Sequence, residues 1–85
     1  MQFLLTFRSL TYAQQGSRVL ERSGISGTVV RVPKELSARG CSYGVSLQER
    51  HLITASNVLR KSGYLPEKVY LKYEDGSLEE KNDLF

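Results

Sequence analysis

Apolar and polar residues alternate along four short stretches of the chain, a pattern typical of half-buried β-strands. The first stretch places Phe3, Leu5 and Phe7 on one face, with Leu4 and Thr6 on the other. We expect Leu4 and Thr6 to face outward. The remaining stretches cover residues 28–32, 43–47 and 69–73. Residues 28–32 are rich in β-branched residues, which favour strands.

Two segments between these strands show helical spacing of their apolar residues. One begins after a candidate N-cap, Ser9 or Thr11, and ends at Gly24. The other runs from Glu49 to Lys61 and stops at Ser62-Gly63. The order β-α-β-β-α-β predicts an α+β, ferredoxin-like fold, a four-stranded antiparallel sheet with two helices on one face. The first and third strands should be central, and the second and fourth should be open edges.

The predicted core consists of the apolar residues that this arrangement turns toward the helices. They are Phe3, Leu5, Phe7, Val19, Leu20, Val30, Val45, Leu47, Leu52, Leu59, Val69 and Leu71. Gly16 falls in the middle of the first helix, where glycine costs about 1 kcal/mol relative to alanine. A close approach of this helix to the sheet is one reason for it to be there.

Charge divides the chain into two parts. Residues 1–73 contain eleven basic and four acidic side chains, whereas residues 74–85 contain five acidic and one basic. We therefore predict a single basic domain over 1–73 and an acidic C-terminal tail over 74–85, either a frayed end or a last hairpin arm. A basic body can attract nucleic acid, an anionic ligand or an acidic protein, and it can also simply keep a small domain in solution.

One cysteine, Cys41, and one histidine, His51, restrict the chemistry. They exclude an internal disulfide scaffold and the usual Cys/His zinc site. No spacing supports a Ser-His-Asp or Cys-His set, and the glycines match no phosphate-binding loop. We expect no metal and no cofactor. The longest apolar run is three residues, too short for a membrane span, so cytoplasmic location is the default expectation.

The segment from Val32 to Gly44 is long for a connection between neighbouring strands, and long loops in small domains are often functional. It carries Cys41 beside Gly40 and Ser42, with Arg31, Lys34 and Arg39 close in sequence. Cationic neighbours favour the nucleophilic thiolate, and Gly40 and Gly44 reduce bulk around the sulfur. Free backbone amides of such a turn could face an anion. A small buried, inert cysteine remains the alternative.

Several motifs together resemble a small bacterial family of selenium/sulfur carrier-like proteins. They are the aromatic-Leu-Leu-Thr-Phe-Arg-Ser run at 3–9, Ser23-Gly24-Ile25, the run from Val32 to Ser37, and the run from Arg39 to Val45. The resemblance covers most of residues 3–73. Members commonly have Cys-Gly where this chain has Cys41-Ser42, so the turn after the sulfur is less permissive here.

The resemblance implies a carrier rather than a catalyst, with Cys41 holding sulfur or selenium as a persulfide or selenosulfide. Arg39 would stabilise the thiolate and Ser42 could donate a hydrogen bond to it, while Lys34 and Arg31 would orient the anion or an acidic partner. The implied partners are a donor such as a cysteine desulfurase and an acceptor enzyme.

A second hypothesis is a non-catalytic basic module that docks an acidic protein or RNA, with Cys41 merely packed. RNA is the less favoured partner. A sheet-based RNA binder needs stacked aromatics on the exposed face of its central strands, and Leu4 and Thr6 stand there instead. A homodimer, through the thiol or through a sheet edge, stays open.

Overall fold

The computed structural model describes residues 1–32 and 43–81. Its strands are β1 (Gln2–Phe7), β2 (Thr28–Arg31), β3 (Tyr43–Gln48), β4 (Lys68–Lys72) and β5 (Leu78–Glu80), and its helices are α1 (Leu10–Arg22) and α2 (Leu52–Ser62). A 3-10 turn, Glu49–His51, leads into α2. Ser9 caps α1 by accepting a hydrogen bond from the Tyr12 amide at 3.2 Å. The predicted stops at Gly24 and Gly63 are confirmed, since both adopt positive φ angles just beyond their helices.

The strands form one antiparallel sheet in the order β2-β3-β1-β4-β5. The α+β class, the two helices and the central positions of β1 and β3 are confirmed. The predicted four-stranded sheet lacked the fifth strand, β5. The Asp75 carboxylate accepts hydrogen bonds from the amide and hydroxyl of Ser77, and Gly76 adopts a φ of 89°. This turn folds the chain back, so that Glu80 pairs with Tyr70. Hence β4 is internal, and the edge strands are β2 and β5.

The main core lies between the two helices and one face of the sheet. Phe3, Leu5 and Phe7 pack there with residues of α1 and α2, and Leu5, Leu20 and Leu59 are fully buried. Gly16 brings α1 close to the sheet, because a Cβ at this position would stand 3.1 Å from the ring of Phe7. The close approach expected from this glycine is confirmed.

Three residues of the predicted core lie elsewhere or only at its margin. Val30 pairs with Gly44, so it faces away from the helices, and its neighbour Val29, opposite Val45, packs on the core instead. Val19 and Leu71 are half-buried. The core also includes three residues absent from the predicted core, two of them small residues on the apolar faces of the helices and one in a loop: Ala13, Ala55 and Ile25.

The face of the sheet opposite the helices holds a smaller buried group. Leu4 and Thr6 point to this side, as predicted, but each is only 7% exposed, so the expectation of outward-facing residues was wrong about their exposure. Leu4 pairs with Tyr70, which is also buried. The Thr6 hydroxyl accepts from the Lys68 amide at 3.1 Å and donates to its carbonyl at 3.3 Å. Backbone pairing at β4 thus satisfies the buried hydroxyl.

Within residues 1–32 and 43–81, no helix is both long and apolar enough to cross a membrane. The same part of the chain contains no cluster of three or more His, Cys, Asp or Glu side chains arranged to hold a metal ion.

Candidate functional site

The structure describes two of the residues singled out from the sequence, Arg31 and Gly44. Cys41 and its other proposed neighbours, Lys34, Arg39, Gly40 and Ser42, lie outside the described residues, and their roles stay predictions. Strands β2 and β3, which flank residues 33–42 in the chain, still define where this segment leaves and re-enters the fold.

Arg31 ends β2 and pairs with Tyr43, the first residue of β3. Residues 33–42 therefore join two neighbouring antiparallel strands at one end of the sheet. Cys41 precedes Tyr43 by two peptide units, which span at most about 7 Å. The Arg31 guanidinium lies 6.0 Å from the centre of the Tyr43 ring, at the outer limit of a cation–π contact. Strand pairing thus places an exposed cation opposite Tyr43, which follows Cys41 by two residues in the chain.

Gly44 lies within β3, between Thr6 of β1 and Val30 of β2. A Cβ built on it would stand 2.7 Å from the backbone oxygen of Leu5 and 3.0 Å from the Leu4 side chain. The absence of a side chain at this position therefore has a packing reason inside the sheet. The proposed contact of Gly44 with an anion or a partner has no support in this geometry and stays a prediction.

A cation–aromatic cluster occupies the same end of the sheet. Phe7 is the other strand partner of Tyr43, so Arg8, the next residue, lies beside the entry to β3. The Arg8 guanidinium stands 4.1 Å from the centre of the Tyr12 ring and also donates a hydrogen bond to the Tyr12 hydroxyl. Tyr12 in turn meets the Tyr64 ring edge-on at a centroid distance of 5.9 Å. We call the three residues Arg8, Tyr12 and Tyr64 the Arg8 cluster.

The Arg8 cluster borders an open cavity of about 310 Å³. Its lining residues come from the end of β1, the start of α1 and the connection between α2 and β4: Phe7, Arg8, Tyr12, Gly63, Leu65 and Glu67. Sequence analysis did not single out Arg8 or Tyr12. The only local signal for them is their spacing of four residues, and no local pattern links either one to Tyr64, which follows α2.

The one histidine of the chain lies away from the sheet end at which Arg31 and Tyr43 pair. The single histidine, His51, follows the far end of β3, about 17 Å along the strand from Tyr43.

The fold and the strand ends around Cys41 define a small α+β protein with a single cysteine between two adjacent strands and a basic sheet end. The chain belongs to the family described as "Putative Se/S carrier protein-like", whose family model matches residues 2–71. The match runs from the first residue of β1 to the last residue but one of β4, and its range includes Cys41. Searches of curated proteins and of solved structures found no match.

Proposed function

We propose that this protein carries sulfur or selenium on the thiol of Cys41, as a persulfide or selenosulfide, between a donor and an acceptor protein. The observation that carries the proposal is the family membership over residues 2–71, a range that includes the chain's single cysteine. Exposed Arg8 and Arg31 at the sheet end where β3 begins, two residues after Cys41 in the chain, support it, because cations favour the thiolate.

Loading consists of one exchange at sulfur. The Cys41 thiolate attacks the terminal sulfur of a persulfide on the donor's cysteine. A new S–S bond forms on Cys41 as the donor's S–S bond breaks, and the donor's cysteine leaves as a thiolate. Nothing is oxidised or reduced overall, because the zero-valent sulfur only moves from the donor's cysteine to Cys41. A selenosulfide on the donor's cysteine transfers selenium in the same way. Delivery is a second exchange of the same kind, in which an acceptor thiolate attacks the terminal chalcogen on Cys41 and Cys41 leaves as a thiolate.

The neighbouring residues have distinct roles in this proposal. Arg39 stabilises the thiolate and the departing chalcogenide, and Ser42 donates a hydrogen bond to the sulfur. Gly40 leaves space for the donor's sulfur to approach. Lys34 and Arg31 attract the anion or the acidic surface of a partner. A free thiol persists in a reducing compartment, which makes the cytoplasm the location we propose.

The test is incubation with a cysteine desulfurase and ³⁵S-labelled cysteine, followed by non-reducing electrophoresis and intact mass. Wild type should gain one sulfur atom, and a reductant should remove it. Cys41→Ser should gain none, and wild type alkylated beforehand should match that variant. An unlabelled wild type, or equal labelling of Cys41→Ser, rules out the carrier. Repeating the assay with selenocysteine as the desulfurase substrate, which leaves a selenosulfide on the donor's cysteine, shows which element is retained.

The second candidate is a basic binding module with a packed, unreactive Cys41. The charge distribution favours it, since residues 1–73 carry a large basic excess. Such a module should bind an acidic protein or RNA with a steep dependence on salt, and equally well as Cys41→Ala. Thiol titration separates the two functions, because a carrier thiol reacts in the native state and a packed one only after unfolding.

A further inference from the structure

The Arg8 guanidinium is fixed in place although it is exposed. Stacking on Tyr12 and a hydrogen bond to the Tyr12 hydroxyl hold it, and Tyr64 supports the Tyr12 ring from the side. A positioned guanidinium loses less conformational entropy when it binds a carboxylate than a freely rotating one. Surface arginines that merely maintain solubility do not need such support.

No carboxylate within the described ranges neutralises Arg8. The two ion pairs found there, Lys68–Glu80 and Lys81–Glu79, both belong to the β4–β5 hairpin. Arg60 and Lys61, in the last turn of α2, add positive charge just before Gly63, which lines the cavity. The lining also includes one acidic residue, Glu67. This end of the molecule is therefore basic, and the complementary surface of a partner is acidic.

Apolar surface lies beside the cation. Leu65 lines the cavity and is 51% exposed, and Leu10, at the first position of α1, is 39% exposed. Arginine and tyrosine, the residue types of the Arg8 cluster, are enriched in protein-binding hot spots, and the exposed leucines add apolar surface around them. Phe7 pairs with Tyr43, so a protein bound here would lie next to the strand end that follows Cys41.

We propose that the cavity bordered by the Arg8 cluster docks an acidic segment of the donor protein. A carboxylate of that segment binds the Arg8 guanidinium, and an apolar side chain packs against Leu65. This inference rests on the proposed carrier function, because the docked protein is the one that delivers the chalcogen. Docking at this end of the sheet brings the donor's persulfide to Cys41, and it makes transfer selective for a protein donor.

The experiment compares two sulfur donors, a cysteine desulfurase supplied with labelled cysteine and the small molecule glutathione persulfide. Arg8→Glu should slow labelling by the desulfurase about tenfold, since a charged hydrogen bond is lost and replaced by repulsion. Labelling by glutathione persulfide should stay unchanged. Leu65→Ser should give a smaller loss with the desulfurase alone. Added salt should slow wild type toward the rate of Arg8→Glu.

Arg18→Glu is the matched control, because it makes the same charge change on an exposed residue of α1 that lies about 12 Å along the helix axis from Leu10, the first residue of the helix. Equal losses in Arg18→Glu and Arg8→Glu would indicate a net-charge effect and overturn the docking site. Full-rate labelling of both Arg8→Glu and Leu65→Ser by the desulfurase, or labelling of wild type by glutathione persulfide alone, would also overturn it. Labelling of Cys41 by neither donor would instead defeat the carrier function.

Discussion

Arg31 and Tyr43 are about twelve residues apart in sequence, yet they are paired across β2 and β3. The pairing joins Arg31 to the strand that begins two residues after Cys41 in the chain. Arg31 is exposed, and its guanidinium lies 6.0 Å from the centre of the Tyr43 ring.

We therefore predict that Arg31→Gln slows the reaction of Cys41 with iodoacetamide at neutral pH by up to about threefold. At a separation of about 7 Å in water, a unit charge stabilises a thiolate by about 0.6 kcal/mol, which changes the ionised fraction by this factor, and a larger separation gives a smaller effect. The rate is followed by intact mass at low salt, and the effect should shrink as salt is added. Arg18→Gln, distant from the β2–β3 end, should react like wild type, and equal rates for all three proteins would contradict an electrostatic role for Arg31.

A second prediction concerns Gly44. Replacement by alanine forces a Cβ to within 2.7 Å of the Leu5 carbonyl oxygen, which is backbone of the central strand and cannot move aside cheaply. We expect Gly44→Ala to lower the free energy of unfolding by about 1–3 kcal/mol, the usual cost of overpacking.

Urea unfolding measures this change. Ser46→Ala is the control, because Ser46 lies two residues along the same strand and on the same face, and its hydroxyl bonds only to the exposed Gln2 side chain. It should change stability by no more than about 0.5 kcal/mol. A Gly44→Ala protein as stable as wild type would show that the strand shifts to accept the Cβ.

Local pattern was enough to predict most of the fold. The alternation of apolar residues locates β1, and the capping residues locate the ends of α1 and α2. These signals can be read from the sequence because each involves residues only a few positions apart. The fifth strand was harder, since Leu78–Glu80 has no period-two pattern of its own. It forms because the turn at Asp75 and Gly76 aligns it with β4, a tertiary constraint that overrides weak strand propensity.

The candidate site shows the same division. A lone cysteine among basic residues and glycines is visible in the sequence, so Cys41 could be proposed directly. The Arg8 cluster could not, because Tyr12 and Tyr64 lie on opposite sides of the β2–β3 unit in the chain and meet only when α1 and α2 pack together. The burial of Leu4 was likewise hidden, since it depends on which strands flank β1.

The third prediction uses two residues of α2 with opposite environments. Leu59 is fully buried and packs in the core with Phe7, whereas Ile53 is 77% exposed. Leu59→Ala should destabilise the protein by about 2–5 kcal/mol, because it removes buried methyl groups and leaves a cavity. Ile53→Ala should stay within about 0.5 kcal/mol. Thermal unfolding of both variants checks this, and similar losses would mean that α2 packs through a different face.

The fourth prediction concerns the acid sensitivity of the β4–β5 hairpin. The Tyr73 hydroxyl donates a hydrogen bond to the Glu79 carboxylate, and this bond, followed by the charge of Lys81, holds the pKa of Glu79 below its ordinary value of 4.5. Hydrogen bonds from the Ser77 hydroxyl and amide likewise hold the pKa of Asp75 below 3.8. Lowered carboxylate pKa values mean that both groups stabilise the fold when ionised.

The sign of the pH effect follows from these shifts. A carboxylate with a lowered pKa contributes its full stabilisation above its unfolded pKa and loses it as the pH falls through the folded value. The hairpin should therefore be intact at pH 6 and loosen progressively below about pH 4. The same hydrogen bond to Glu79 raises the pKa of Tyr73 above 10.0, so this bond is also lost in strong base.

Amide hydrogen exchange at Tyr73 and Lys81 measures the opening directly, since both amides donate to backbone carbonyls within the hairpin and its continuation. Tyr73→Phe removes the hydroxyl and should raise the Glu79 pKa. The contribution of Glu79 to the pH dependence of hairpin exchange should then become smaller, whereas the contribution of Asp75 should stay. Because all these groups are on the surface, the changes should be small and should fade in high salt. An exchange rate that accelerates between pH 8 and pH 6, after correction for intrinsic chemistry, would assign the opening to a group other than these carboxylates.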